Sequence, residues 1–229
     1  MGKTAEKEPQ AIFVDCFNTV ILRNKKNSEI FRQWAQSIST EFGLDKNMFY
    51  RAYRKLNWKM SAKKLFTQFV LQADFDDVIG EIYQKIYHAD ADAEFLRTAR
   101  QKYSDAESEA HFIQPQFIEF LRTQKQNGKK IYVVSDFYCS GDVIKQWLEN
   151  LGILDIFDGV FSSTDFNREK STLKLYKYLL KKLDLKPADV VMYGDNGWSD
   201  VFMPKLLGIK SQKINHKKGN YAKEKRDSI

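Results

Sequence analysis

Short apolar runs rich in β-branched residues recur along this chain, and most stop abruptly at a Ser or an Asp. Ala11–Asp15 (AIFVD), Lys130–Asp136 (KIYVVSD), Gly159–Ser162 and Val190–Asp195 share this character, and a weaker fifth, Ile209–Ile214, follows Gly208. Continuous apolar runs of this length read as parallel strands buried on both faces. Helical stripes lie between them. Ser140 is placed to cap a helix through Val143, Ile144, Trp147 and Leu148 that ends at Gly152. Leu173, Tyr176, Leu179 and Leu180 mark another, and Pro115 opens a third through Phe117, Ile118 and Leu121 that stops at Gly128. Strand–helix alternation predicts an α/β fold with a doubly wound parallel sheet.

The long stretch between the first two strands has helical periodicity throughout. Phe31, Trp34, Ala35, Ile38 and Phe42 form one apolar stripe, closed by Gly43. Asp45 can cap the next helix, with Phe49, Ala52, Tyr53 and Leu56 inside. Leu65, Phe69, Ile79, Ile82 and Ile86 suggest further helices. The expected organisation is a sheet domain over 10–22 and 112–215, a helical domain inserted over 23–111, and a basic tail over 216–229.

Composition narrows the picture. Of 229 residues 43% are hydrophobic and 14% aromatic, enough for a packed core. The polar start, MGKTAEKEPQ, and the lack of any apolar run near the ~20 residues a span requires predict neither an export signal nor a membrane helix. The two cysteines, Cys16 and Cys139, have no metal-binding spacing, so a reducing cytoplasm is the expected location. The net charge of +7 is spread along the chain, with one concentration in Lys213–Arg226. No nucleic-acid-reading motif accompanies it, so a nucleic-acid partner is not expected.

Candidate chemistry sits at the strand ends, where open α/β sheets collect ligands. Asp15 is either a carboxylate nucleophile or a turn-forming Asp. Asn18 suits a tight reversal at positive φ, and Thr19 either faces the site or caps the turn. Ser135 offers a hydroxyl to a phosphate oxygen or to its own turn. Lys170 brings a charge to a phosphoryl group or stays solvated, with Lys174 as its competitor. In the stretch Gly194–Asp200, Gly194 allows a sharp turn, Asn196 and Gly197 keep the chain irregular, and Ser199–Asp200 begin a helix. Asp195 and Asp200 then straddle one loop and can converge with Asp15 on a hard cation such as Mg²⁺.

The order of these segments resembles the haloacid dehalogenase-like (HAD) superfamily. The resemblance covers about 10–22 and 115–214, with DCFNT at Asp15, SDFY at Ser135–Tyr138, SSTDFNREK ending at Lys170, and GDNGWSDVFMPKLLGI from Gly194. It implies a Rossmannoid core with a C1-type helical cap inserted after the first strand. It further implies a Mg²⁺-dependent phosphohydrolase acting on a small phosphorylated compound through an aspartyl-phosphate on Asp15. In that mechanism Mg²⁺ is held by Asp15, Asp195, Asp200 and the backbone carbonyl of Phe17. The phosphoryl group is held by Ser135 and Lys170, with Asp136 and Asn18 beside it, and Cys139 is a further neighbour. The family's phosphatases typically carry a general acid where this chain has Phe17. An aromatic residue there also resembles the 2-haloacid dehalogenases, whereas the intact pair Asp195 and Asp200 does not. A non-catalytic scaffold that binds a phosphorylated ligand or partner is the third alternative. Arg32, Arg51, Tyr53 and Trp58 are candidates for substrate contacts from the cap, and the oligomeric state stays open.

Overall fold

The computed structural model describes residues 8–47, 49–55 and 75–216. The strands are β1 (Ala11–Val14), β2 (Leu22–Arg23), β3 (His111–Phe112), β4 (Lys130–Ser135), β5 (Gly159–Ser162), β6 (Val190–Gly194) and β7 (Lys210–Lys213). Five of them form one sheet in the order β5-β4-β1-β6-β7, and β2 and β3 form a separate ribbon. Every pairing in the large sheet is parallel, as the uninterrupted apolar runs require. All five expected strands are present, including the weaker last one.

The chain divides into two compact units, Met1–Leu22 with Phe112–Ile229 and Arg23–His111. In the sheet unit, Ala11, Phe13, Val134, Val190 and Met192 pack with Leu175, Tyr176 and Leu179 of the helix Lys174–Lys182. The alternate strand residues Ile12, Val14, Ile131 and Val133 are equally buried, so β1 is covered on both faces, as is β4 from Val133 onward. Ser140 caps the helix Gly141–Asn150 by accepting from the Val143 N–H, and Gly152 follows at φ 67°. Pro115 occupies the first turn of the helix Pro115–Gln126.

Leu173 does not open the helix that its spacing suggested. It sits at φ 65° between a 3-10 turn, Lys170–Thr172, and the helix that begins at Lys174. A bulky residue is uncommon there, and the reversal separates Lys170 from the helical spacing that would otherwise carry it onward.

In the other unit the helix Asn27–Phe42 buries Ile30, Trp34, Ala35, Ile38 and Ser39, and Gly43 ends it at φ 65°. The buried face is centred on Ile30, so Phe31, expected inside, is only partly covered. Residues 46–47 and 49–55 are helical, with Asp45 Oδ1 accepting from the Asn47 N–H at 2.8 Å. Phe49, Tyr53, Val78, Ile79 and Ile82 are buried, whereas Ile86 is partly exposed. The helices Phe75–Tyr87 and Ala93–Ser108 complete the described part; Leu56, Trp58, Leu65 and Phe69 lie outside it. The buried Glu107 accepts from Arg23 Nε at 2.8 Å, from the second Arg23 nitrogen at 3.0 Å and from the Tyr103 hydroxyl, with His111 Nε2 at 3.1 Å. No helix among the described residues is long and apolar enough to cross a membrane.

Candidate active site

The sheet register brings the candidate residues to one edge. Val14 lies opposite Val133 of β4 and Tyr193 of β6. Asp15 after β1, Ser135 ending β4 and Asp195 after β6 therefore emerge at neighbouring levels of three adjacent strands. The Asp15 N–H donates to the Tyr193 carbonyl at 2.8 Å, carrying the ladder one residue further.

A tight loop follows Asp15. The N–H groups of Val20 and Ile21 both donate to the Cys16 carbonyl, and the Asn18 N–H donates to Ile21 O at 2.9 Å. Asn18 adopts φ 56°, the reversal its identity suggested, and its side chain is hydrogen-bonded to Asp195. The Thr19 hydroxyl lies 3.4 Å from Asp15 Oδ2, so it faces the site. His216 Nε2 stands 2.7 Å from the Thr19 carbonyl, and its ring packs edge-on to Phe117. Residue 216, expected to begin a loose tail, is thus held on the sheet unit. A lone His in a basic stretch gave no sign of this.

Lys170 is the centre of the cluster. Its ammonium lies 2.5 Å from Asp15 Oδ1 and 2.7 Å from Asp200 Oδ1, and the residue is only 1% exposed. A cation so buried requires paired charge around it. Burial alone would favour the neutral amine, but Asp15 and Asp200 outweigh it and hold Lys170 well above the usual lysine range. Lys174 is exposed and lines a surface depression with Arg168, Lys177 and Tyr178.

Asp136, expected beside the phosphoryl group, makes a contact to the backbone of Lys170. Its Oδ1 accepts from the Lys170 N–H at 2.8 Å, so the carboxylate fixes the turn that presents Lys170. The buried Ser135 hydroxyl accepts from the Phe137 N–H at 3.1 Å, the turn role, while standing at the strand tip. The Cys139 carbonyl accepts from the Ser162 hydroxyl at 2.6 Å.

The acidic loop after β6 departs from expectation in two ways. A π-helical turn begins at Gly197 rather than at Ser199, because Asn196 caps it by accepting from the N–H groups of Trp198 and Ser199. Gly194 has no left-handed φ; it is glycine because a Cβ there would lie 2.4–2.5 Å from side-chain atoms of Asp200. Asp200 is thereby seated against the strand end. Its Oδ2 accepts from the Asn196 N–H at 3.0 Å, and its Oδ1 accepts from the Ser199 hydroxyl at 3.0 Å. The buried Tyr176 hydroxyl donates to the Ser199 carbonyl at 2.8 Å, bracing the same turn. Tyr176 was legible in the sequence only as a core position.

Asp15, Asp195 and Asp200 each offer an oxygen within 4.8 Å of the others. Burial, opposed by Lys170 and reinforced by Asp200 and Asp195, pushes Asp15 up to about 7. Asp195 is raised as well, by burial and then by Asp200. Three crowded carboxylates with one ammonium between two of them remain short of positive charge. An all-oxygen set of this kind fits a small hard dication that keeps some of its waters.

Phe17 turns to an aromatic group. Its ring centroid lies 4.2 Å from Phe137 and 5.8 Å from Trp147, and Phe137 stacks on Tyr138 at 4.1 Å. Among the candidates in the helical unit, Tyr53 is buried against Phe31 and Trp34, and Arg32 lies over Tyr50 at 5.6 Å. Arg51 is exposed in a shallow depression with Asp45 and Lys55, and Trp58 is outside the described residues.

A family model described as haloacid dehalogenase-like hydrolase matches residues 9–208. The chain belongs to the haloacid dehalogenase-like hydrolases. It is 32% identical over 149 residues to a glyceraldehyde 3-phosphate phosphatase of Methanocaldococcus jannaschii. That match covers 64% of this chain and 60% of the relative, so the chain spans less than two thirds of the relative's length. Among solved structures, a HAD phosphatase from Thermococcus onnurineus is similar with TM-score 0.55 and 21% identity, covering 90% of this chain and 86% of that one. A 2-haloacid dehalogenase from Pseudomonas syringae reaches TM-score 0.65 at 12% identity with the same coverage. Phosphatases and dehalogenases thus share this HAD fold, and the choice between them rests on the site.

Proposed function

We propose that this HAD hydrolase is a Mg²⁺-dependent phosphohydrolase of small phosphorylated compounds that works through an aspartyl-phosphate on Asp15. The observation that carries this reading is the gathering of Asp15, Asp195 and Asp200 within 4.8 Å, with Lys170 between two of them. Asp15 Oδ attacks phosphorus, and Lys170 and the Ser135 hydroxyl hold the phosphoryl oxygens. Asp15, Asp195, Asp200 and the Phe17 carbonyl would hold Mg²⁺, which when bound neutralises charge on the phosphoryl oxygens and the nucleophile. Asn18 orients Asp195, and Asp136 presents Lys170. Glyceraldehyde 3-phosphate, from the name of the archaeal relative, is the alkyl ester to compare with aryl phosphates.

A 2-haloacid dehalogenase is the second reading, favoured by the aromatic side chain of Phe17 and by the likeness to the Pseudomonas syringae enzyme. Such chemistry has no use for three converging carboxylates. The deciding experiment measures p-nitrophenyl phosphate hydrolysis and chloride release from 2-chloropropionate side by side. The phosphohydrolase reading expects phosphate release that EDTA abolishes and that Asp15→Asn loses. EDTA-insensitive chloride release without phosphatase activity would replace it.

A further inference from the structure

Resting on that reading, we propose that the site selects phosphate compounds whose leaving group departs as a stable anion without receiving a proton. These are aryl and enol phosphates, acyl phosphates and phosphoanhydrides rather than simple alkyl esters. The position two residues beyond the nucleophile is a phenyl ring, which neither gives nor takes a proton. It is held in place: Phe17 packs on Phe137 and Trp147, and those two rings contact each other at 5.9 Å. The loop beneath it is tied by hydrogen bonds from Asn18 to Ile21 and from Val20 and Ile21 to Cys16.

Among the described residues of the sheet unit, several protic groups around Asp15 have other partners. Lys170 bridges Asp15 and Asp200, and Asp136 is turned onto the Lys170 N–H. The Thr19 hydroxyl faces Asp15 itself, Asn18 bonds Asp195, and Ser135, whose oxygen accepts from its own turn, keeps its O–H for the phosphoryl group. Among the described residues, these contacts run to Asp15, to its neighbouring aspartates or to the turns that carry them.

The consequence runs through both half-reactions. In the first, an Asp15 oxygen forms a bond to phosphorus while the P–O bond to the leaving group breaks, and that group carries off the electron pair as an oxyanion. Without an acid, the barrier follows the stability of that anion. In the second, water adds to phosphorus, the P–Oδ bond breaks, and Asp15 is restored as a carboxylate with inorganic phosphate released. The water loses its proton to solvent or to the phosphate, with no side-chain base. The second step therefore lags behind the first for reactive substrates, and the leaving group appears in a burst.

The test is a leaving-group series on the unaltered protein with Mg²⁺: p-nitrophenyl, phenyl and substituted phenyl phosphates, then glycerol phosphate. General acid assistance is typically worth ~10²–10⁴ in rate. The kcat/KM is expected to fall by about that range from p-nitrophenyl to alkyl esters, with a burst of p-nitrophenolate equal to the enzyme. Phe17→Asp should raise the alkyl rate and flatten the series. A flat series in the unaltered protein overturns the proposal and leaves the phosphatase intact, since an acid would then come from elsewhere. No turnover of any ester would instead remove the phosphohydrolase reading, and the inference with it. If Phe17→Asp fails to fold, the series on the unaltered protein decides alone.

Discussion

The Lys170 ammonium stands 2.5 Å from Asp15 Oδ1 although 155 residues separate the two in sequence, and the same nitrogen reaches Asp200 Oδ1 at 2.7 Å. Removing the cation leaves two carboxylates facing each other out of water. Breaking a buried ion pair by deleting one partner costs about 3–5 kcal/mol, and losing one preorganised donor to a developing charge costs about 10²–10³ in kcat. Lys170→Met should lose p-nitrophenyl phosphatase activity on that scale. Its denaturation midpoint in EDTA should fall markedly, with Mg²⁺ restoring part of the difference. Activity within a few-fold of the parent would show that Lys170 has no role at phosphorus.

Gly194 tests the seating of Asp200. A methyl group at this position would meet Asp200 Oδ2 at 2.4 Å and its Cβ and Cγ at 2.5 Å. Overpacking of a tight site costs about 1–3 kcal/mol, and here the displaced group is a candidate metal ligand. Gly194→Ala should unfold at lower denaturant and show a smaller Mg²⁺-induced rise in Tm than the parent. An unchanged Mg²⁺ response would mean that Asp200 is not a ligand or moves without consequence.

The strand ends were readable because a buried parallel strand advertises itself: an unbroken apolar run followed at once by Asp15, Ser135 or Asp195 leaves little choice of element or edge. Asn18 at positive φ and Ser140 as a cap were equally local, since each residue type has a backbone preference that acts without partners. Contacts made across long sequence distances carry no such local mark. The reason for Gly194 is a side chain six residues later, and it reads in sequence as an ordinary turn glycine. Asp136 reads in sequence as a neighbour of Ser135, with nothing to announce that it accepts from the Lys170 N–H. Tyr176 and His216 hold carbonyl groups whose positions depend on the assembled sheet.

Glu107 links pH to stability in the helical unit. Burial pushes its carboxyl up, but hydrogen bonding with His111, the charge of Arg23 and the Tyr103 hydroxyl together hold it below the ordinary value of 4.5. With a folded value lower than the unfolded one, the contribution is fully present above about 4.5 and is lost as pH falls below it. Glu107→Gln leaves the Arg23 guanidinium, 12% exposed, without its carboxylate, and the loss of a buried partner costs about 3 kcal/mol or more. The Tm gap between parent and variant should therefore be wide at neutral pH and narrow as the solution is acidified below 4.5. A gap independent of pH would show that the carboxylate charge contributes nothing.

Asp136 separates presentation of Lys170 from metal binding. Its carboxylate accepts from the first N–H of the turn that carries Lys170 and touches none of the three converging aspartates by hydrogen bond. Loss of a side-chain cap costs about 0.5–2 kcal/mol, and a loosened turn lets the ammonium drift from the position where it meets the phosphoryl oxygens. Asp136→Ala should lower kcat for p-nitrophenyl phosphate by about tenfold, the rate equivalent of ~1.4 kcal/mol. The Mg²⁺ concentration giving half-maximal activity should stay where it is in the parent. If that concentration rises while kcat holds, Asp136 acts through the cation instead, and its place beside Lys170 is incidental to catalysis.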